Sequence, residues 1–206
     1  MKRQACAFPL EARGYIQQWL GAGLFADLLV PSAPPAEGDL TAGEPWTLYF
    51  TRFRRVRIPG YRRQEGTWWM AVCSLRSEVE QQADLEFLAP EGTKVCAADG
   101  RDWGEAREGL KGLRIGPRPL LIVLALPART QPQMFAACVS APDLGAVEVS
   151  LDLDTSIPLR VGRAAGRDVW IQHNGKACPT IWVELLNITA MPLTDISISL
   201  TAESEE

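Results

Sequence analysis

The residues best suited to hold a ligand are an aromatic set, Trp69, Tyr61 and Trp103, and a basic set around Arg55 and Arg57. Trp69 follows Trp68 in the run Thr67–Leu75. Neighbouring side chains on a strand point to opposite faces, so one tryptophan of the pair enters the core and the other faces outward. An exposed indole is a platform for a sugar ring, because the apolar face of a pyranose matches a flat aromatic surface. The competing reading buries both rings, one in the core and one under the C-terminal segment. Tyr61, Trp103 and Trp46 fall in or beside loops, where a ring is free to stack. Six arginines, Arg52, Arg54, Arg55, Arg57, Arg62 and Arg63, fall within twelve residues. Guanidinium groups grip phosphates or acidic sugars through paired hydrogen bonds. They also pair with carboxylates of the same chain, or keep other strands off a sheet edge.

Bond-making chemistry has less to stand on. His173 is the only histidine, and beside Asn174-Gly175 it reads as a turn residue. No His/Cys spacing makes a zinc site, and no nucleophile elbow accompanies the histidine. No acid pair sits in the apolar setting that would raise a carboxyl pKa for glycoside hydrolysis. Asp152 and Asp154 alternate out of an apolar strand and read as its wet face. The expectation is a non-catalytic protein without a cofactor. The five cysteines (Cys6, Cys73, Cys96, Cys138, Cys178) are widely spaced and odd in number, which fits free thiols better than a disulfide framework.

The elements that must position these residues are strands. Residues 1–9 read as a loose lead-in. From Leu10 to Leu29 the apolar spacing is helix-like, but Gly14, Gly21 and Gly23 interrupt it. The alternative is a strand over Tyr15–Leu20, a turn at Gly21–Gly23 and a short helix over Phe25–Leu29. Pro31–Pro45 is a proline-rich surface connection, the kind of loop through which a sandwich meets a partner. Trp46–Ile58 alternates as a strand, with a change of phase near Arg54–Arg55 that marks a bulge or break. Strands follow at Thr67–Leu75, Ala83–Leu88, Thr93–Cys96, Leu113–Ile115, Leu120–Leu126 and Met134–Val139, separated by turn chemistry such as Pro90-Glu91-Gly92. The uncharged run Leu120–Leu126 reads as a strand buried on both faces. Val147–Asp154 alternates cleanly, with Val147, Val149, Leu151 and Leu153 on one face. Further short strands at Ile157–Val161, Val169–Gln172, Thr180–Leu186 and Asp195–Thr201 either complete the first sandwich or form a small second one. Asn174-Gly175 is a hairpin dipeptide.

Bulk properties set the frame. With 206 residues the chain can bury a proper core. A hydrophobic fraction of 47% and a charged fraction of 22% are those of an ordinary globular protein and exclude a disordered chain. The net charge of −4 argues against a nucleic-acid binder. It is unevenly spread: residues 1–63 hold nine Lys/Arg against five Asp/Glu, a net of +4, while the remainder is net −8. No signal peptide and no apolar run long enough to span a membrane is read, so the expectation is a cytoplasmic protein with no membrane contact, or an extracellular one if it is cut from a larger secreted chain.

The order of features resembles a bacterial module, the galactose-binding-like jelly roll found beside catalytic domains in glycoside hydrolases. Trp19-Leu20-Gly21-Ala22-Gly23-Leu24-Phe25 looks like that family's W-L-x-x-G-P-F opening, with Leu24 in place of proline. Trp46 follows as its second tryptophan. Asp99-Gly100 is similar to its hairpin tip, and Gly116-Pro117-Arg118-Pro119-Leu120-Leu121-Ile122-Val123 to its G-x-N-x-L-L-x-K-V strand, with Arg118 in place of asparagine. Ala89-Pro90-Glu91-Gly92 lacks the acidic residues the family carries before its glycine. The segment Trp182–Asn187 with Pro192–Asp195 looks similar to strands of immunoglobulin-like modules. The resemblance implies an all-β chain, a jelly-roll sandwich over residues 10–143 and a small immunoglobulin-like or completing segment over 144–206. It implies carbohydrate binding through Trp69, Tyr61, Trp103, Arg55 and Arg57. The alternative is a structural or protein-interaction component, self-associating or docking a larger partner through its proline-rich loop and arginine strand. Exposure of Trp68 or Trp69 separates the two readings.

Overall fold

The computed structural model describes residues 2–58, 60, 66–98, 102–161, 165–173, 176–189, 192–194 and 196–197, and the backbone alone over 165–173 and 176–182. Among the described residues eighteen strands follow one another. The first six are β1 (Arg3–Pro9), β2 (Gln18–Phe25), β3 (Leu40–Thr41), β4 (Glu44–Pro45), β5 (Thr47–Phe50) and β6 (Val56–Ile58). The central seven are β7 (Trp68–Ser77), β8 (Gln81–Leu88), β9 (Lys94–Ala97), β10 (Gly104–Glu105), β11 (Leu110–Ile115), β12 (Leu120–Pro127) and β13 (Gln133–Ser140). The last five are β14 (Val147–Asp154), β15 (Leu159–Val161), β16 (Ala165–His173), β17 (Lys176–Trp182) and β18 (Leu185–Asn187). The fold is an all-β sandwich of antiparallel sheets. No helix among the described residues is long and apolar enough to cross a membrane.

The large sheet runs β1-β14-β7-β12-β9-β10. The ten-residue β7 is its spine. One flank of β7 pairs with β12 along its length, from Trp68↔Pro127 to Leu75↔Leu120. The other flank is shared: β2 pairs with Trp68–Val72 and β14 with Ser74–Ser77. Beyond β2 lies β5. The smaller sheet runs β11-β8-β13-β6, so β6 is an edge strand. Strand parity sorts the faces. Trp69, Ala71, Cys73 and Leu75 point inward and are all buried. They share their face with Leu126, Leu124 and Ile122 of β12. Across the gap the small sheet supplies Ala83, Leu85, Phe135, Ala137 and Val139, likewise buried. The uncharged run of β12 is buried on both faces from Leu121 to Leu126, as expected of a central strand.

Several expectations change. Residues 3–9 are a strand, not a loose lead-in; β1 pairs with β14 from Arg3↔Asp154 to Pro9↔Glu148 and turns only Cys6 and Phe8 inward. Gly21 and Gly23 are not a turn but the interior of β2, and no helix follows over 25–29. The apolar face expected of Val147–Asp154 is there, with Val147, Val149, Leu151 and Leu153 buried. β14 joins the large sheet between β1 and β7, so strands on both sides of the 10–143 span take part in it. The phase change near Arg54–Arg55 is a break in which residues 51–55 cross from β5 in the large sheet to β6 in the small one. His173 ends β16 and pairs with Lys176 of β17, as an Asn-Gly hairpin would have it; residues 174–175, like the Asp99-Gly100 tip and most of the Asp195–Thr201 strand, lie outside the described residues.

The two glycines of β2 have a packing reason. A Cβ on Gly21 would stand 2.2 Å from Cζ2 of Trp69, and one on Gly23 would stand 2.8 Å from its Cδ1. The indole of Trp69 therefore lies in a slot that only glycines leave open. Gly21→Ala should destabilise the protein by about 1–3 kcal/mol through overpacking. Denaturant unfolding of this variant beside wild type checks it, and an unchanged midpoint would contradict the slot.

Candidate functional site

The proline-rich connection is a built structure rather than a slack one. Ala42 and Gly43 both have positive φ, 50° and 86°, as a two-residue type I′ hairpin requires, and they join β3 to β4. The Ala36 N–H donates to Asp39 Oδ2 (2.9 Å) and the Asp39 N–H to the Ala36 carbonyl (3.0 Å). Gly38 and Trp46 exchange main-chain bonds with the strand ends, Gly38 N to Trp46 O at 2.7 Å and Trp46 N to Asp39 O at 2.9 Å. Asp39 also meets Arg3 at 2.6 Å. The fixed loop holds Trp46 against the large sheet, its ring 6.3 Å from that of Phe25 and its Nε1 donating to Thr41 Oγ1 at 2.9 Å.

One clamp ties this loop to the C-terminal segment. Glu37 Oε2 accepts from Arg160 Nη2 (2.7 Å) and from the Asp154 N–H (3.0 Å), while the Glu37 N–H donates to the Asp152 carbonyl (2.8 Å). Arg160 Nη2 also donates to the Asp154 carbonyl at 2.7 Å. Both charged side chains are mostly buried, 12% and 17% exposed for Arg160 and Glu37. The next carboxylate along, Asp154, accepts from the hydroxyl and N–H of Ser156, which hold its pKa below the ordinary value.

Between the loop and the sheet lies a cleft of about 530 Å³. Phe25, Trp46 and Met70 form an apolar floor, and Leu29, Val30 and Leu40 stand on the rim. The rim is wet: Leu29 is 37% exposed, Val30 39% and Leu40 70%. Asp39, Thr41 and Ser32 are the polar groups that face it. This volume is in the range of ordinary ligand sites.

Of the residues expected to bind a sugar, one takes a place other than the expected one. Trp69, the expected platform, is fully buried against the small sheet, with Tyr49 edge-on at 5.2 Å and Phe135 at 6.3 Å. Strand parity put the tryptophans on opposite faces but did not say which face was the core. Trp68 is half-buried and packs on the core, as Trp103 does, and Trp46 is buried. Tyr61 lies outside the described residues, with Arg62 and Arg63. Arg55 and Arg57 are exposed as expected, along with Arg52 and Arg54. The guanidinium of Arg54 stacks over Tyr15 at 5.0 Å, and that of Arg52 over Phe53 at 5.9 Å. The proline-rich loop over the cleft was expected from the sequence as a docking surface, but the rim residues Leu29, Val30 and Leu40 were not named there.

Among the described residues no three of His, Cys, Asp and Glu are placed to hold a metal ion. Burial pushes the Cys73 thiol well above its ordinary pKa, and burial also raises those of Cys6 and Cys138. A raised thiol pKa lowers the fraction present as the nucleophilic thiolate.

Compared with protein-family models, curated proteins and solved structures, the chain matches none.

The clamp has a direct test. Glu37→Ala leaves Arg160 without its carboxylate, at a cost between the ~1 kcal/mol of an exposed pair and the ~3 kcal/mol of a buried one. Hydrogen exchange at Gly38, Asp39 and Trp46 should quicken in this variant while that of β12 stays slow. Uniform acceleration of both would contradict a local fastening.

Proposed function

We propose that this chain is a non-catalytic interaction module that docks a partner protein through the cleft beneath its proline-rich loop. The observation that carries the reading is the pairing of a fixed loop with a wet apolar rim. Leu40 is held beside the Trp46–Phe25–Met70 floor by the hydrogen-bonded frame of residues 36–46, Leu29 and Val30 line the same cleft, and all three are still in water. A prearranged apolar surface loses little conformational entropy on binding, which is where affinity is most often lost. Burial of Trp69 and Trp46 supports the same reading, because it removes two of the rings expected to stack on a sugar.

The second reading is a carbohydrate-binding accessory module of the galactose-binding-like kind with an immunoglobulin-like tail segment. It is favoured by the exposed ring of Phe53, 52% accessible, standing among Arg52, Arg54, Arg55 and Arg57. That set offers one stacking face with guanidinium donors around it.

Selection of a random peptide display library on the immobilised protein, in parallel with a glycan array, separates the two. The interaction reading expects selected peptides rich in apolar residues whose binding is lost in Leu40→Glu. Leu40 is mostly in water, so this variant should keep its fold and melting temperature. Peptides indifferent to Leu40→Glu, or glycan binding with no peptide enrichment, would overturn it.

A further inference from the structure

Among the described residues some cations are paired and others, such as Arg13, Arg114 and Arg118, are not; the arginines at the crossover belong to the second group. Arg3, Arg76, Lys94, Lys111 and Arg160 each meet a carboxylate: Asp39, Glu148, Glu105, Asp84 with Glu86, and Glu37. Arg52, Arg54, Arg55 and Arg57 meet none among the described residues, although the chain holds more acids than bases, 25 against 21. The carboxylate that does reach this segment, Glu184, is turned on other groups. Its Oε1 accepts from the Thr51 hydroxyl and the Arg52 N–H, both at 3.4 Å. Arg52 and Arg54 lie over aromatic rings instead. A guanidinium over a ring is held by a cation–π contact that does not use up its N–H donors.

The strand that follows adds a second kind of binding group. β6 pairs with β13 on one flank, from Gln133↔Ile58 to Phe135↔Val56. Its other flank has no ladder partner among the described residues, because β6 ends the small sheet. Val56 and Ile58 are buried and Arg57 points to solvent between them. An open strand edge offers main-chain donors and acceptors in a row.

We infer that the crossover 51–55 and the free edge of β6 form a docking strip for an extended, carboxylate-rich polypeptide segment of a partner. The segment's main chain pairs along β6 as an added strand. Its acidic side chains take the guanidiniums of Arg54, Arg55 and Arg57 by paired, charge-assisted hydrogen bonds. A polyanionic sugar would satisfy the guanidiniums but leave the strand edge unmet, which is why the polypeptide is favoured. The inference names the partner's chemistry within the interaction reading above, on residues separate from the cleft.

Fluorescence anisotropy tests it with a labelled short peptide of alternating Glu and Thr, the same peptide with Lys for Glu, and a labelled heparin fragment. The acidic peptide should bind, the basic one should not, and binding should weaken sharply between about 50 mM and about 500 mM salt as screening shortens the reach of the charges. The variant Arg54→Gln/Arg55→Gln/Arg57→Gln, all at exposed positions, should bind at least roughly tenfold more weakly with an unchanged melting temperature. Arg54→Lys keeps the charge and loses the planar fork, so it should lie between the two. Heparin binding without peptide binding would overturn the inference. So would a parent protein that ignores the acidic peptide while the triple variant self-associates, since the arginines would then serve only to keep other copies off the edge. If Leu40→Glu loses its apolar peptides while the acidic peptide fails to bind the parent, the cleft reading stands and this one falls.

Discussion

The seating of Trp69 in the glycine slot of β2 is the contact on which the sandwich depends. Gly21 and Gly23 leave β2 bare at two alternate inward positions, and the indole fills the space that two Cβ atoms would occupy. From there its ring reaches Tyr49 on β5 and Phe135 on the facing sheet, and Phe135 in turn meets Trp19 edge-on at 5.3 Å. Four rings thus tie β2, β5 and β7 to β13. Among the described residues the buried Trp69 Nε1 finds no acceptor, nor does Gln133 Oε1 find a donor. An unmet buried donor costs about 1–3 kcal/mol. Burying an indole returns about 4–6 kcal/mol at the usual area coefficient, so the ring stays buried.

The same contact determines what is left for function. With Trp69 committed to the core, the apolar groups still in water lie elsewhere, three of them (Leu29, Val30 and Leu40) on the cleft rim and others such as Phe53, Leu88 and Met134 outside it. The cleft and the arginine crossover flank a single four-residue strand, β5, the loop leading into it and the crossover leading out. Both are fastened from the same part of the chain. Arg160 holds the loop through Glu37, and Glu184 holds the crossover through Thr51 and Arg52. The segment after β14 therefore acts as a strap on both surfaces, whatever further packing it takes part in.

Much of this was legible in the chain. The alternation of Val147–Asp154 and the uncharged run Leu120–Leu126 state their burial outright, because a period of two and the absence of charge each have one structural meaning. Gly21 and Gly23 do not. A glycine reads locally as a turn, and only the presence of Trp69 on a strand far along the chain turns the pair into a slot. Parity likewise placed Trp68 and Trp69 on opposite faces without saying which faced the core, and that choice moved the expected site. β1 escaped notice because its inward face is only Cys6 and Phe8 and its pairing with β14 spans most of the sequence. The hairpin at Ala42-Gly43 hid behind an alanine, a residue that disfavours the positive φ it adopts there.

The central claim is that Trp69 is a buried structural residue of the core. Its indole N–H resonance, assigned in ¹⁵N-Trp-labelled protein by its loss in Trp69→Phe, reports this directly. The account predicts an N–H that exchanges slowly with solvent and does not move when neutral or acidic oligosaccharides are added. Fast exchange, or a shift on adding sugar, would contradict it.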